Sequence, residues 1–221
     1  QVAILSSVEG RGIGIVTCGF SVVRHSRVVK SWLPTESGSL WALALAGCRV
    51  GWGTPLVLLR RSLVELHRLR FDVRLGSRQD WDFFIQCALH AEVACVRSVE
   101  VLVNDHEGAR VRSGVRALES TKICRVKYSG LLCGYEEVER KFLATSAEIA
   151  FSAGAISDAM EYLRSAMAGS QRSASIYFWV FVCWPYCRGR FWGVQRFLLE
   201  LARSILFSRG TRERFKAISR C

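Results

Sequence analysis

Residues 12–23 read Gly-Ile-Gly-Ile-Val-Thr-Cys-Gly-Phe-Ser-Val-Val: β-branched, rich in small side chains, and without a helical period. Such a run is a strand buried on both faces, which a chain can satisfy only by building a sheet around it. The glycines at 12 and 14 lie inside this strand. A dinucleotide fingerprint needs its glycines between a strand and a helix, so that reading is excluded.

The chain around it alternates. Residues 27–32 form a second strand or hairpin arm, and residues 40–48 a short helix. Residues 54–60 read as a strand with Pro55 near its start, where proline is tolerated. Ser62-x-x-Glu65 spells a capping box for a helix over 62–69. Residues 82–91 are helical, 92–103 alternate over part of their length as a strand or two short ones, and 104–108 form a polar loop. From about residue 115 only helical patterns remain, at 117–132, 136–152 and, after a break at Gly154, 156–167. The last two resemble a single hairpin of the tetratricopeptide kind, and one hairpin is not an array. The expected fold is therefore α/β over 1–113, followed by an all-helical region over 114–221.

Chemistry concentrates at Phe71-Asp72-Val73-Arg74-Leu75-Gly76-Ser77-Arg78-Gln79-Asp80-Trp81-Asp82, just before the apolar run Phe83-Phe84-Ile85. Asp80 falls at or next to a helix N-terminus, where unpaired backbone N–H groups favour a carboxylate. A carboxylate fixed at a loop-to-helix junction can serve as a general base, or it can simply cap the helix.

The order of landmarks resembles the second half of a family 2 glycosyltransferase with the GT-A fold. Arg60 and Arg61 end a strand, a short helix follows, and Phe71-Asp72 stands for the family's "GGFDE"-like turn without its glycines. Gln79-Asp80-Trp81-Asp82 stands for the "EDWDL"-like helix start, with glutamine in place of glutamate. The resemblance covers about residues 8–113 and implies a partial GT-A-like mixed sheet with flanking helices. It implies an inverting transfer of sugar from a nucleotide-sugar donor to a glycan or lipid-linked acceptor, as in polysaccharide biosynthesis. Asp80 then matches the catalytic base, with Gln79, Trp81 and Asp82 as acceptor contacts. His106, Arg110 and Arg112, in the loop after the last strand, become candidates for the diphosphate or a metal. The complete enzyme is expected to need a divalent cation, Mg²⁺ or Mn²⁺, held on a D-x-D motif at a strand end. The only D-x-D spelling here is Asp80-Trp81-Asp82, at the helix start rather than after an apolar strand. The chain therefore reads as an acceptor-side half, with residues 12–23 following the missing metal-binding half, and is expected to be inactive alone.

Charge allows a second reading. The formal net charge is +12, which favours phosphate-bearing partners without choosing among them. Residues 186–221 hold nine Arg or Lys against two Glu, and apolar positions 191, 194, 198, 201 and 205 recur at helical spacing. A basic amphipathic helix over 190–207 would dock on an anionic membrane surface or close the helical region on itself. The alternative function is accordingly a non-catalytic helical adaptor or membrane-surface protein. No nucleic-acid-binding module is present, so nucleic acid is not expected as a partner. The run 175–187 is apolar but shorter than the roughly 20 residues a spanning helix needs. The nine cysteines include no C-x-x-C pair and read as buried free thiols of a reducing compartment. The expected location is cytoplasmic, with peripheral attachment at the inner face of the membrane.

Overall fold

The computed structural model describes residues 1–7, 12–47, 53–105 and 114–167. A short helix α1 (Val2–Ser6) precedes the central strand β1 (Ile13–Arg24). The four-stranded sheet is built around β1. Strand β2 (Arg27–Trp32) pairs antiparallel with its C-terminal half, and β3 (Val57–Leu59) pairs antiparallel with its N-terminal half along the same edge. The other edge is occupied by β4 (Glu92–Asn104), which runs parallel from Ile13 to Val23. A parallel neighbour requires a long crossover. It consists of α2 (Trp41–Leu45), β3, α3 (Arg61–Leu66) and α4 (Gln79–Ala88).

The buried-strand reading of residues 12–23 holds for the first half of β1, where Ile15, Val16, Thr17 and Cys18 are all buried. The β1–β2 hairpin turns on His25 and Ser26, both with left-handed backbone (φ 47° and 62°). Two consecutive positive φ values match the twist of a two-residue hairpin loop, but the pair lacks the Asn-Gly spelling that would have announced it.

Local starts differ from expectation in two places. Residues 54–56 form a 3₁₀ turn before β3, with Pro55 taking a first-turn position that needs no N–H donor. The capping box at Ser62 does not form. Helix α3 begins at Arg61 with Arg60 as N-cap and no side-chain cap bond, and Glu65 instead receives a 2.6 Å hydrogen bond from Arg61 Nε. Arg60 ties the N-terminal segment to the sheet by donating to the carbonyls of Leu5 (2.7 Å) and Ile13 (3.2 Å).

The helical region comprises α5 (Gly114–Lys127), α6 (Ser129–Gly134), α7 (Glu136–Ser152) and α8 (Ile156–Met167). One helix was expected over 117–132, and the structure divides it at Tyr128. Helix α7 opens with Glu136, Glu137 and Glu139, negative charge at the positive end of the helix dipole. Gly154, at φ 75°, makes the turn to α8 that its sequence position implied. Helices α7 and α8 pack as a hairpin through Ala147, Ala150, Ala159, Leu163 and Ala166, with Leu118 of α5 joining them.

The main core joins Ile15 of β1, all of α2, Phe83 to Ile85 of α4 and Val93 of β4 to Cys124, Tyr128, Leu132, Val138 and Phe142. It therefore includes residues from both sides of positions 113 and 114, where the onset of helical patterns set the expected boundary. The apolar stretch 175–187 and the basic helix expected over 190–207 lie outside the described residues. Among the described residues, no helix is long and apolar enough to cross a membrane.

Candidate active site at the start of α4

Helix α4 begins one turn earlier than its apolar run suggests. Arg78 is the N-cap, in the left-handed region at φ 63°, and Gln79, Asp80, Trp81 and Asp82 form the first turn. Asp80 and Asp82 both lie in that turn, two positions apart. Residues so spaced do not share a helix face, and the two carboxylates have opposite fates.

Asp80 stays half-buried. Its Oδ1 accepts a 2.8 Å hydrogen bond from the Trp81 backbone N–H, one of the donors that a helix start leaves unpaired. Among the described residues it has no ion-pair partner within 4 Å. Asp82 is fully buried, at 0 % exposure. Its Oδ1 accepts from the Tyr128 hydroxyl at 2.7 Å, and its Oδ2 accepts from Lys127 Nζ and Gln86 Nε2, both at 2.8 Å. A carboxylate enclosed in this way cannot also meet an acceptor. The acceptor role expected of Asp82 gives way to an internal one, pinning α4 to the end of α5.

The other two expected acceptor contacts are partly committed as well. Gln79 Nε2 donates to the Leu75 carbonyl at 2.8 Å. Trp81 Nε1 donates to the Ala44 carbonyl at 3.1 Å, and the Arg78 guanidinium lies 3.9 Å from its ring centroid. One face of the indole is thus covered by a cation, an attraction worth about 0.5–2 kcal/mol. Arg78 also donates to Thr121 Oγ1 of α5 at 3.2 Å. Burial pulls its guanidinium below the ordinary arginine value, with nearby Cys124 and Asp80 acting the other way.

The turn before α4 is built on Asp72. Its Oδ1 accepts from the backbone N–H of Arg74 (3.1 Å) and from Arg74 Nε (2.9 Å), and its Oδ2 from Arg74 Nη2 (2.7 Å). Those hydrogen bonds hold the Asp72 carboxyl well below the usual carboxylate range, with Lys127 helping. Lys127 Nζ lies 3.5 Å from Asp72 and 2.8 Å from Asp82, so a single ammonium joins the turn, the helix and α5. Phe71 leaves the turn to stack on Phe83, with centroids 4.4 Å apart.

Tyr128 is buried. Burial first, then the charge and hydrogen bond of Asp82, push its hydroxyl far above the ordinary phenol value. It is therefore a permanent donor. Burial also pushes the Cys124 thiol up to about 12.

No protein-family model, curated protein or solved structure matches this chain significantly.

The residues that sequence reasoning missed are Thr121, Lys127 and Tyr128. All come from α5 or its end, in the part of the chain assigned to a separate helical region. The one available signal was Lys127-Tyr128 at the end of a helix, a cation and a phenol that could answer two unexplained aspartates. His106, Arg110 and Arg112, the diphosphate or metal candidates, lie outside the described residues. Among the described residues no three His, Cys, Asp or Glu side chains come together to hold a metal ion. Within the D-x-D spelling, Asp82 is fully buried and bonded to Tyr128, Lys127 and Gln86.

Proposed function

We propose that this chain is the acceptor-side part of a GT-A-like glycosyltransferase and that Asp80 is its general base. The observation that supports the reading most is the contrast within a single helical turn. Asp82 is consumed by the fold, whereas Asp80 is held at the helix start by one backbone donor and remains half-exposed. In sugar transfer the base takes the acceptor hydroxyl proton as that oxygen attacks the anomeric carbon, and the bond to the nucleotide diphosphate breaks. The base must be fixed and reachable, and it must keep a lone pair for the incoming hydroxyl. Asp80 has Oδ2 to offer. The fixing comes from the Asp82–Tyr128–Lys127 cluster, which holds the first turn of α4 against α5. Gln79 and Trp81 flank the base and give the acceptor a polar edge and an indole edge.

The mixed four-stranded sheet with flanking helices supports the α/β part of the reading. Here α4 leads directly into β4. The donor is a nucleotide sugar, bound largely by a D-x-D-bearing half that the 221 residues do not spell. The expected acceptor is a glycan or lipid-linked glycan, and the expected place of action is the cytoplasmic face of a membrane. Incubating the complete polypeptide that carries this sequence with a panel of UDP-, GDP- and CMP-sugars and glycan acceptors tests the reading. Release of nucleoside diphosphate that requires acceptor supports it. Absence of transfer across the panel, with the protein folded, removes it and leaves the helical-adaptor reading.

A further inference from the structure

The sheet is enclosed at one end and bare at the other. Where β1 starts, Ile15, Val16, Thr17 and Cys18 are all buried. Where β1 ends, β2 and the second half of β4 extend past the core. Val28 is 61 % exposed, Leu102 67 % and Val103 38 %. The pairing register fixes their directions. Leu102 lies opposite Ser21 and Val103 opposite Val22, so these two consecutive residues point to opposite faces of the sheet. Val28 pairs with Val23 and shares a face with Leu102, while Lys30 pairs with Val22 and shares a face with Val103. Apolar side chains are therefore exposed on both faces of the same thin ribbon.

That arrangement selects among possible partners. A protein surface docked on one face leaves the other uncovered. A strand added at the open edge of β2 meets a β-bulge, since Val29 falls between the paired residues 28 and 30, and it meets Arg27 and Lys30. Bulges and basic side chains are the devices that blunt an edge against pairing. A fluid apolar medium covers both faces at once. Arg27 and Lys30 have no ion-pair partner among the described residues, and Arg24 is bonded to Asp105. Uncommitted cations beside exposed apolar groups match an anionic headgroup layer over acyl chains.

We infer that the β1–β2 turn and the adjoining end of β4 form an interfacial anchor that embeds in an anionic lipid bilayer. Its depth is limited to the headgroup and upper acyl region. There, water and lipid oxygens still satisfy the open backbone edges that hydrocarbon would leave unpaired. The inference does not rest on the sugar-transfer reading, because it uses no residue of the α4 site.

The test is co-sedimentation of the full chain with vesicles of phosphatidylcholine alone and of phosphatidylcholine with phosphatidylglycerol, across a salt series. The expected result is binding that needs phosphatidylglycerol and weakens with salt. Val28→Ser with Leu102→Ser should lower the partition coefficient about tenfold or more, the scale for withdrawing two partly inserted aliphatic side chains. Arg27→Gln with Lys30→Gln should lower it by about fivefold per residue on anionic vesicles and leave neutral vesicles unaffected. Both pairs are on the surface, and an unchanged thermal midpoint without lipid confirms that they fold. Binding unchanged in both variants overturns the inference and places any membrane affinity elsewhere in the chain. Self-association without lipid that the serine pair abolishes, together with no vesicle binding, also overturns it and assigns the ribbon to a second copy.

Discussion

Replacing Tyr128 with phenylalanine removes one hydroxyl from the centre of the α4–α5 contact and leaves the ring in place. The lost bond is 2.7 Å long and ends on a carboxylate with no exposure to solvent. Hydrogen bonds to charged acceptors contribute about 1.5–3 kcal/mol, and a ring that keeps its volume adds no cavity term. Asp82 keeps Lys127 and Gln86, which places the expected loss near the middle of that range, at about 2 kcal/mol. For a chain of this size that is a fall of about 4–8 °C in Tm. Urea unfolding followed by far-UV circular dichroism should show a lower midpoint with an unchanged slope. A double-mutant cycle with Asp82→Asn should return a coupling of about 1–2 kcal/mol. The variant should also change the alkaline limb. The folded state raises the Tyr128 value above the unfolded phenol value of about 10. Its contribution is therefore complete below that pH and is lost as pH rises beyond it, a slope the phenylalanine variant should lack. A destabilisation under about 0.5 kcal/mol, with no coupling to Asp82, would refute the view that this contact fixes α4.

Cys87 and Cys124 are buried, and burial pushes both thiols up to about 12. Native-state alkylation near pH 8 should label exposed Cys133 well before either of them, and equal rates would show that the α4–α5 packing opens readily. A Cβ at Gly19 would lie 2.7 Å from the Ser98 carbonyl oxygen and 2.8 Å from that of Trp32. Gly19→Ala should therefore cost about 1–3 kcal/mol in urea unfolding, because backbone on both neighbouring strands must move; a neutral substitution would contradict the described register.

Most of the architecture was legible in the sequence because it follows local rules. The β-branched run of residues 12–23 gave β1, the alternation after residue 92 gave β4, and the helical period with Gly154 gave α7 and α8 at their observed bounds. Helix starts were less legible. The capping box at Ser62 was outcompeted by an Arg61–Glu65 pair, and α4 began ahead of its apolar run because Asp80 and Asp82 suit a first turn. The roles of the two aspartates could not be read at all from their spacing. What separates them is whether Tyr128 and Lys127 arrive, and those side chains come from some 45 residues further on, as the Asp82 contacts show. The change to helical periodicity set the expected boundary at 113/114, but a core does not register a change of period. Cys124, Tyr128 and Leu132 fill the same interior as Ile15 and Phe84.

We propose that Asp80 acts as the base while Asp82 supports the fold. The most direct test is the rate of sugar transfer by the complete polypeptide carrying Asp80→Asn, measured with its unfolding midpoint and donor affinity. The expected result is a fall in transfer of about 10²-fold or more, the scale for losing a general base, with the midpoint and donor affinity unchanged. Transfer within a few-fold of the parent would contradict it and leave Asp80 as no more than a first-turn residue of α4.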